Sequence, residues 1–307
     1  MLPESLEIRP TPVTLIHHAA NCDHQAPPGS LIALEKCLAS GAAVIEVDIL
    51  PLADGSFALL HDQQLEHETS GKGNAPEMER AQIESLHYKV EGHITSEKVG
   101  FLEDAIELLQ DNTETKRLQL DLRPFTPLTR GVLQGLLNII QPVLDRIQVT
   151  SVADWAVRSL ARFAPELSLG FDPLLYLDIQ DAQPRPEDIP PFRVGAYGLR
   201  DDHPLSAYRW GPLGDYFAAR AGALLAQVPR GCEWFIRAEL LKMALDAGFD
   251  WIDFLHQQGS RVDGWTIDVN HPEHIQLARV LVEQNIDDLT TDSPAQLARQ
   301  LPSGKIY

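Results

Sequence analysis

Four strand-like runs in the N-terminal part of the chain end in acids, imidazoles or a guanidinium. His17 and His18 close PVTLIHH, Glu46 and Asp48 lie late in AVIEVDIL, His61 and Asp62 close SFALLHD, and Asp121 with Arg123 closes RLQLDLR. Side chains alternate across a strand, so Glu46 and Asp48 share a face with Val44 and Leu50, while Ile45, Val47 and Ile49 take the other. Neighbouring carboxylates repel, and taking them out of water costs more still, so the pair calls for a cation or several donors. Glu46, Asp48 and Asp121 together make an oxygen-rich set suited to one Mg²⁺ or Ca²⁺ ion, and less to zinc. Imidazole titrates near neutrality, so two histidines beside such an ion can divide the proton transfers, one taking a proton from a nucleophile and one giving a proton to a leaving oxygen. That is phosphodiester chemistry. A strand with one wet face would also carry alternating acids; the recurrence at four strand ends argues against it.

A scaffold must bring those ends to one rim. Apolar strand-like runs alternate with helix-period segments along the chain, the pattern of a parallel sheet covered by helices. SLIALEKCLAS has helical spacing at Leu31, Leu34 and Leu38, with Ser30 as N-cap and Gly41 as the stop. SFALLHD reads as a third strand, joined to the second through ADGS, and RLQLDLR, RIQVTSV, ELSLGFD, EWFIRA, DGWTID and DDLTTD supply the others. Eight or so strands in this order predict a (β/α)₈ TIM barrel, whose active sites gather at the C-terminal ends of the strands. An open doubly wound sheet is the alternative. Two stretches exceed barrel spacing, residues 63–100 after the third strand and about 178–229 in the second half, and both read as inserted loops of one domain spanning residues 1–307.

Composition narrows the partners. The 307 residues are 44% hydrophobic and 22% charged, a globular balance. The net charge of −19 argues against nucleic-acid or anionic-membrane surfaces, and an anionic small-molecule substrate must then be attracted by local cations. Cys22, Cys37 and Cys232 are odd in number and widely spaced, which points to buried free thiols. No apolar run approaches the ~18 residues of a membrane span, and the first residues show no leader pattern, so the expectation is a soluble cytoplasmic protein. Oligomeric state is not legible.

The motifs LIHHAA, then APPGSLIALEKCLASGAAVIEVDILPLADGSFALLHDQQLEHETSGKG, and later VDGWTID and IDDLTTDSP, resemble the glycerophosphodiester phosphodiesterase family of metal-dependent (β/α)₈ barrels. By that resemblance His17 and His61 correspond to the acid/base pair, and Glu46, Asp48 and Asp121 to metal ligands. Arg123 corresponds to a phosphate contact and Trp265 to a pocket wall. The resemblance implies hydrolysis of a glycerophosphodiester to an alcohol and glycerol phosphate, directly or through a cyclic phosphate, with a divalent metal ion as cofactor.

Departures from the family pattern bear on substrate grip. His18 stands where the family carries an arginine that grips phosphate, a shorter and pH-dependent cation in place of a fixed fork. Pro27, Pro28, Gly29 and Ser30 replace a PENT element, removing its acid, and Asp121 and Arg123 replace a usual Glu and Lys. Asp at that metal position also resembles the sphingomyelinase D enzymes, which act on choline phospholipids. The alternatives are therefore a related phospholipid headgroup phosphodiesterase, or a phosphoester-binding barrel with impaired catalysis. An unrelated phosphosugar barrel would place phosphate near TTDSP instead.

Other residues take structural readings: His67 as part of its loop, Tyr208 and Trp210 as a self-packing segment or a lid, Asp292 as capping or orienting the last loop, with Ser293 as N-cap and Pro294 at the first helical position, and His271 and His274 as surface residues.

Overall fold

The computed structural model describes residues 5–6, 13–22, 25–124, 127–177 and 212–301. Eight parallel strands close on themselves: β1 (Val13–His17), β2 (Val44–Pro51), β3 (Arg117–Leu122), β4 (Ile147–Ser151), β5 (Ser168–Phe171), β6 (Glu233–Arg237), β7 (Val262–Ile267) and β8 (Asp288–Thr291). Each is hydrogen-bonded to the next, and β8 returns to β1. A barrel rather than an open sheet results.

Helices lie between and after the strands: α1 (Leu31–Ala39), α2 (Leu102–Asp111), α3 (Arg130–Ile140), α4 (Asp154–Phe163), α5 (Leu213–Leu225), α6 (Ala238–Asp246), α7 (Trp251–His256), α8 (Pro272–Glu283) and α9 (Pro294–Gln300). None is long and apolar enough to cross a membrane. Local chemistry starts and stops them as expected at α1, where the Ser30 side chain accepts from the Ala33 N–H at 3.3 Å and Gly41 leaves at φ +77°.

The strand alternation divides the barrel into two environments. Ile45, Val47, Ile49, Leu118, Leu120 and Leu122 point outward into the continuous core beneath the helices. Glu46, Asp48, Gln119, Asp121 and Thr150 point inward and reach the cavity at the mouth. Below them an ionic plug fills the barrel floor: Arg117 contacts Glu233 at 3.2 Å and Asp288 at 3.3 Å, Arg261 contacts Asp288 at 2.7 Å, and Gln148 donates to Glu233 at 2.6 Å. Glu233 and Asp288 are buried, and removing one partner of a buried ion pair strands the other. Arg117→Ala should therefore lower the unfolding free energy by about 3–5 kcal/mol, read from urea denaturation; an unchanged midpoint would show that the plug contributes nothing to stability.

SFALLHD is not a barrel strand. Phe57–Ala58 pairs antiparallel with the end of β2, Leu50 opposite Ala58 and Pro51 opposite Phe57. The ADGS turn allows nothing else, because a parallel return needs a crossover of a dozen or so residues whereas a tight turn makes a hairpin. The first insertion therefore lies between β2 and β3, not after a third barrel strand. It has its own small core around Leu60, Leu65, Ile83, Tyr88 and Phe101, and the Tyr88 hydroxyl donates to the Leu59 carbonyl at 2.8 Å, fixing the segment that carries His61. Tyr208 and Trp210 lie outside the described residues.

Candidate active site

A cavity of about 340 Å³ opens at the C-terminal mouth of the barrel, lined among others by His18, Glu46, Asp48, His61, Asp121, Arg123 and Trp265. One oxygen from each of Glu46, Asp48 and Asp121 lies within 4.8 Å of the others. The register explains this: Glu46 pairs with Gln119 and Asp48 with Asp121 across β2 and β3, so the three inward carboxylates occupy adjoining positions.

Their surroundings satisfy part of the charge. The Ala19 N–H donates to Glu46 Oε2 at 2.7 Å, Thr150 Oγ1 donates to Asp121 Oδ1 at 3.2 Å, and Arg123 Nη1 lies 3.1 Å from Asp121 Oδ2 and 3.8 Å from Asp48 Oδ1. Burial, and then repulsion from Glu46 and Asp121, pushes Asp48 well above the usual carboxylate range; burial also raises Glu46. An all-oxygen cluster that still resists ionisation beside a guanidinium fits a hard divalent cation.

The two neighbouring histidines part company. His17 is the outward residue of β1, fully buried with its Nδ1 3.9 Å from Cys37 Sγ on α1, and burial lowers its pKa to about 4. It does not line the cavity, so its expected place in the acid/base pair is corrected: strand alternation sends Ile16 into the barrel and His17 into the helix layer. His18 takes the cavity position. The chain turns immediately after it, with Ala19 at φ 48° and Ala20 at φ 50°, a left-handed conformation that non-glycine residues adopt at a cost of order 1 kcal/mol or more each. That turn swings His18 over the mouth and aims the Ala19 N–H at Glu46.

His18 Nδ1 lies 2.7 Å from Asp292 Oδ1. An ionised carboxylate only accepts, so Nδ1 carries the proton and Nε2 is left for the cavity. Burial lowers the imidazole pKa, but the Asp292 bond and the charges of Glu46, Asp292 and Asp48 outweigh it and set it at about 9. The contact thus contributes stability that is fully present below the ordinary value near 6.5 and is lost as the pH rises through about 9. Asp292 orients His18, which gives a concrete task to a residue expected to cap or orient the last loop.

His61 also lines the mouth, its Nδ1 3.3 Å from Asp62 Oδ1, and Asp62 Oδ2 lies 3.3 Å from His67 Nδ1. Partial burial of its ring, followed by the Arg123 charge, lowers the His61 pKa. The Asp62 N–H donates to Glu68 Oε1 at 2.8 Å, a carboxyl that burial raises to about 7.

Several lining residues were not anticipated: Gln119, Thr150, Asp172, Leu174, Phe235, Thr266 and Thr290. Asp172 follows β5 directly and was open to the strand-end rule, had that rule been applied beyond the fourth strand run. His271 and His274 do face each other, with ring centroids 5.2 Å apart, and acids stand beside them: Asp268 and Glu273 each at 3.5 Å from His271 and Glu239 at 3.4 Å from His274. Of the free cysteines, Cys37 and Cys232 are buried and Cys22 only partly so.

A sequence model described as the glycerophosphoryl diester phosphodiesterase family matches residues 22–165. Residues 22–165, just under half of the chain, are thus similar to that family. The matched segment includes Glu46, Asp48, His61, Asp121 and Arg123; His18, Trp265 and Asp292 lie outside it. A glycerophosphodiester phosphodiesterase from Caldanaerobacter subterraneus subsp. tengcongensis is 23% identical over 154 residues, 49% of this chain and 61% of that protein. One from Bacillus altitudinis is 25% identical over 150 residues, 47% of this chain and 60% of that protein. The aligned chain thus spans about three fifths of these relatives. A phosphodiesterase from Oleispira antarctica, solved with the product sn-glycerol-3-phosphate, superposes with TM-score 0.62 at 18% identity, covering 98% of this chain and 97% of that one. A Silicibacter pomeroyi structure described as a glycerophosphoryl diester phosphodiesterase gives 0.64 at 18% identity, covering 97% and 96%. At that identity the likeness is one of fold, and it is the same barrel.

Proposed function

We propose that the protein is a metal-dependent phosphodiesterase that hydrolyses glycerophosphodiesters to an alcohol and glycerol phosphate. The observation that carries this is one cavity lined by His18, His61 and the Glu46, Asp48, Asp121 cluster. The names of the relatives and the product bound to the Oleispira protein support the substrate class. We take residues 1–307 as one catalytic unit, and the sparse, odd cysteine set as favouring the reducing cytoplasm.

Glu46, Asp48 and Asp121 would hold the divalent ion, Mg²⁺ or Ca²⁺. When bound, that ion neutralises charge building on the phosphoryl oxygens, a contribution of several kcal/mol. The remaining chemistry belongs to the chain. The Asp292 carboxylate favours the protonated imidazole of His18, whose Nδ1–H it accepts, leaving Nε2–H for the cavity, the state required to give a proton to the leaving oxygen. His61, with its lowered pKa, is neutral near pH 7 and suited to take a proton from the attacking hydroxyl. Arg123 supplies a fixed cation for the phosphate, and Trp265 forms a wall.

His18 then serves as an acid rather than as a weakened stand-in for a phosphate arginine, which removes one ground for a barrel that binds without turnover. A phosphate site at the last strand is also disfavoured, because the Asp292 carboxylate occupies that loop. The test is a panel of glycerophosphodiesters incubated with purified protein, with and without chelator. Alcohol release that needs Mg²⁺ or Ca²⁺ is expected; no release at saturating metal would reject the assignment.

The Asp292 contact adds a sharper check. Asp292→Asn should lower kcat on the order of ten- to a hundredfold and move the alkaline limb of the pH profile down by about one to two units, because the carboxylate holds the His18 pKa up. An alkaline limb that stays in place would show that His18 does not set it.

A further inference from the structure

Asp172 is a fourth carboxylate in the cavity, and neither the metal cluster nor the histidines use it. It follows β5, where its N–H donates to the Ser151 carbonyl at 3.1 Å, and its Oδ1 accepts the Leu174 N–H at 2.7 Å. These bonds fix the side chain, and its second oxygen has no hydrogen-bond partner among the described residues. The two guanidiniums whose charge reaches it have nearer carboxylates, Arg123 lying 3.1 Å from Asp121 and Arg237 3.6 Å from Glu239. Burial raises the carboxyl to about 8, a cost that a cationic ligand would offset.

The same cavity is lined by the apolar and aromatic Leu174, Phe235 and Trp265. The indole Nε1 of Trp265 is buried without a partner, so the ring carbons are what its exposed surface offers to the cavity. A carboxylate among aromatic carbons is the chemistry that recognises an ammonium group, by ion pairing and by cation–π attraction. Charge balance points the same way. With the Asp292 that holds His18 counted, five carboxylates meet one guanidinium, one imidazolium and a divalent ion, so an anionic diester of a neutral alcohol adds to a negative balance, whereas a zwitterionic diester brings its own cation.

We propose that Asp172 is a specificity-determining residue that selects glycerophosphodiesters whose alcohol carries a quaternary or primary ammonium, such as choline or ethanolamine. This rests on the proposed phosphodiesterase function. Asn at position 172 retains an acceptor for the Leu174 N–H and removes only the charge, so Asp172→Asn is the informative variant.

Two measurements separate the claims. The first is kcat/KM for glycerophosphocholine against glycerophosphoglycerol; the ratio should exceed one in the unaltered protein and fall about tenfold in Asp172→Asn. The second is binding of choline itself to the metal-loaded protein by calorimetry, which should weaken by a similar factor in the variant. Choline binding that depends on Asp172 without any diester hydrolysis would preserve the ammonium subsite and reject the phosphodiesterase function. Hydrolysis of both diesters with a ratio that Asp172→Asn leaves unmoved would overturn the assignment of Asp172.

Discussion

His18→Ala lowers kcat by about two to four orders of magnitude, while His17→Ala leaves turnover within about threefold of the unaltered protein and instead lowers stability by about 2–4 kcal/mol. The contrast follows from one residue of strand phase. His18 lines the cavity with its Nδ1 anchored on Asp292, so its loss removes a positioned proton donor and leaves the Asp292 carboxylate without its imidazole. His17 is fully buried against Cys37 on α1, so its loss opens a cavity in the helix layer. Steady-state kinetics on a glycerophosphodiester and urea denaturation of both variants provide the readouts. A folded His17→Ala protein that is inactive, beside an active His18→Ala protein, would reverse the assignment.

Mg²⁺ or Ca²⁺ raises the melting temperature of the protein, and Asp48→Asn abolishes the rise. A ligand at a hundred times its Kd stabilises the folded state by about 2.7 kcal/mol, several degrees for a protein of this size. Asp48 is the most burdened of the cluster: it is buried, repelled by Glu46 and Asp121, and faces Arg123 only at 3.8 Å. Replacing it by the uncharged isostere removes repulsion in the metal-free protein, whose melting temperature should rise, and removes a ligand from the metal-loaded one. Calorimetric scans with chelator and with excess metal give both numbers without any activity assay. A metal-induced shift that survives Asp48→Asn would place the ion elsewhere.

The two inward acids of β2 were legible because alternation is a local rule and Ile45, Val47 and Ile49 mark the opposite face unambiguously. The barrel was legible because eight apolar runs alternate with helices, a pattern that survives one wrongly assigned strand. That strand failed where turn chemistry was outweighed by composition: SFALLHD is apolar enough for a barrel strand, but ADGS makes it a hairpin. The choice between His17 and His18 was only partly legible, because Val13, Leu15, Ile16 and the flanking residues are all apolar or small enough to leave the phase of alternation open. It depends on where β1 leaves the sheet, and that is set by Ala19 and Ala20 in a left-handed turn that two alanines do not announce. Asp292 was visible as a strand-end acid, but its partner lies 274 residues away, beyond any local pattern. The ionic plug was hidden for the same reason, since Arg117, Glu233 and Asp288 meet only when the barrel closes.

Phosphorus NMR of glycerophosphocholine incubated with the purified protein addresses the central claim directly. The diester resonance should give way to that of a phosphate monoester when Mg²⁺ or Ca²⁺ is present, cease to do so on chelation, and persist with His18→Ala over the same interval. A diester signal that stays constant at saturating metal, or that decays equally with chelator, would contradict the account.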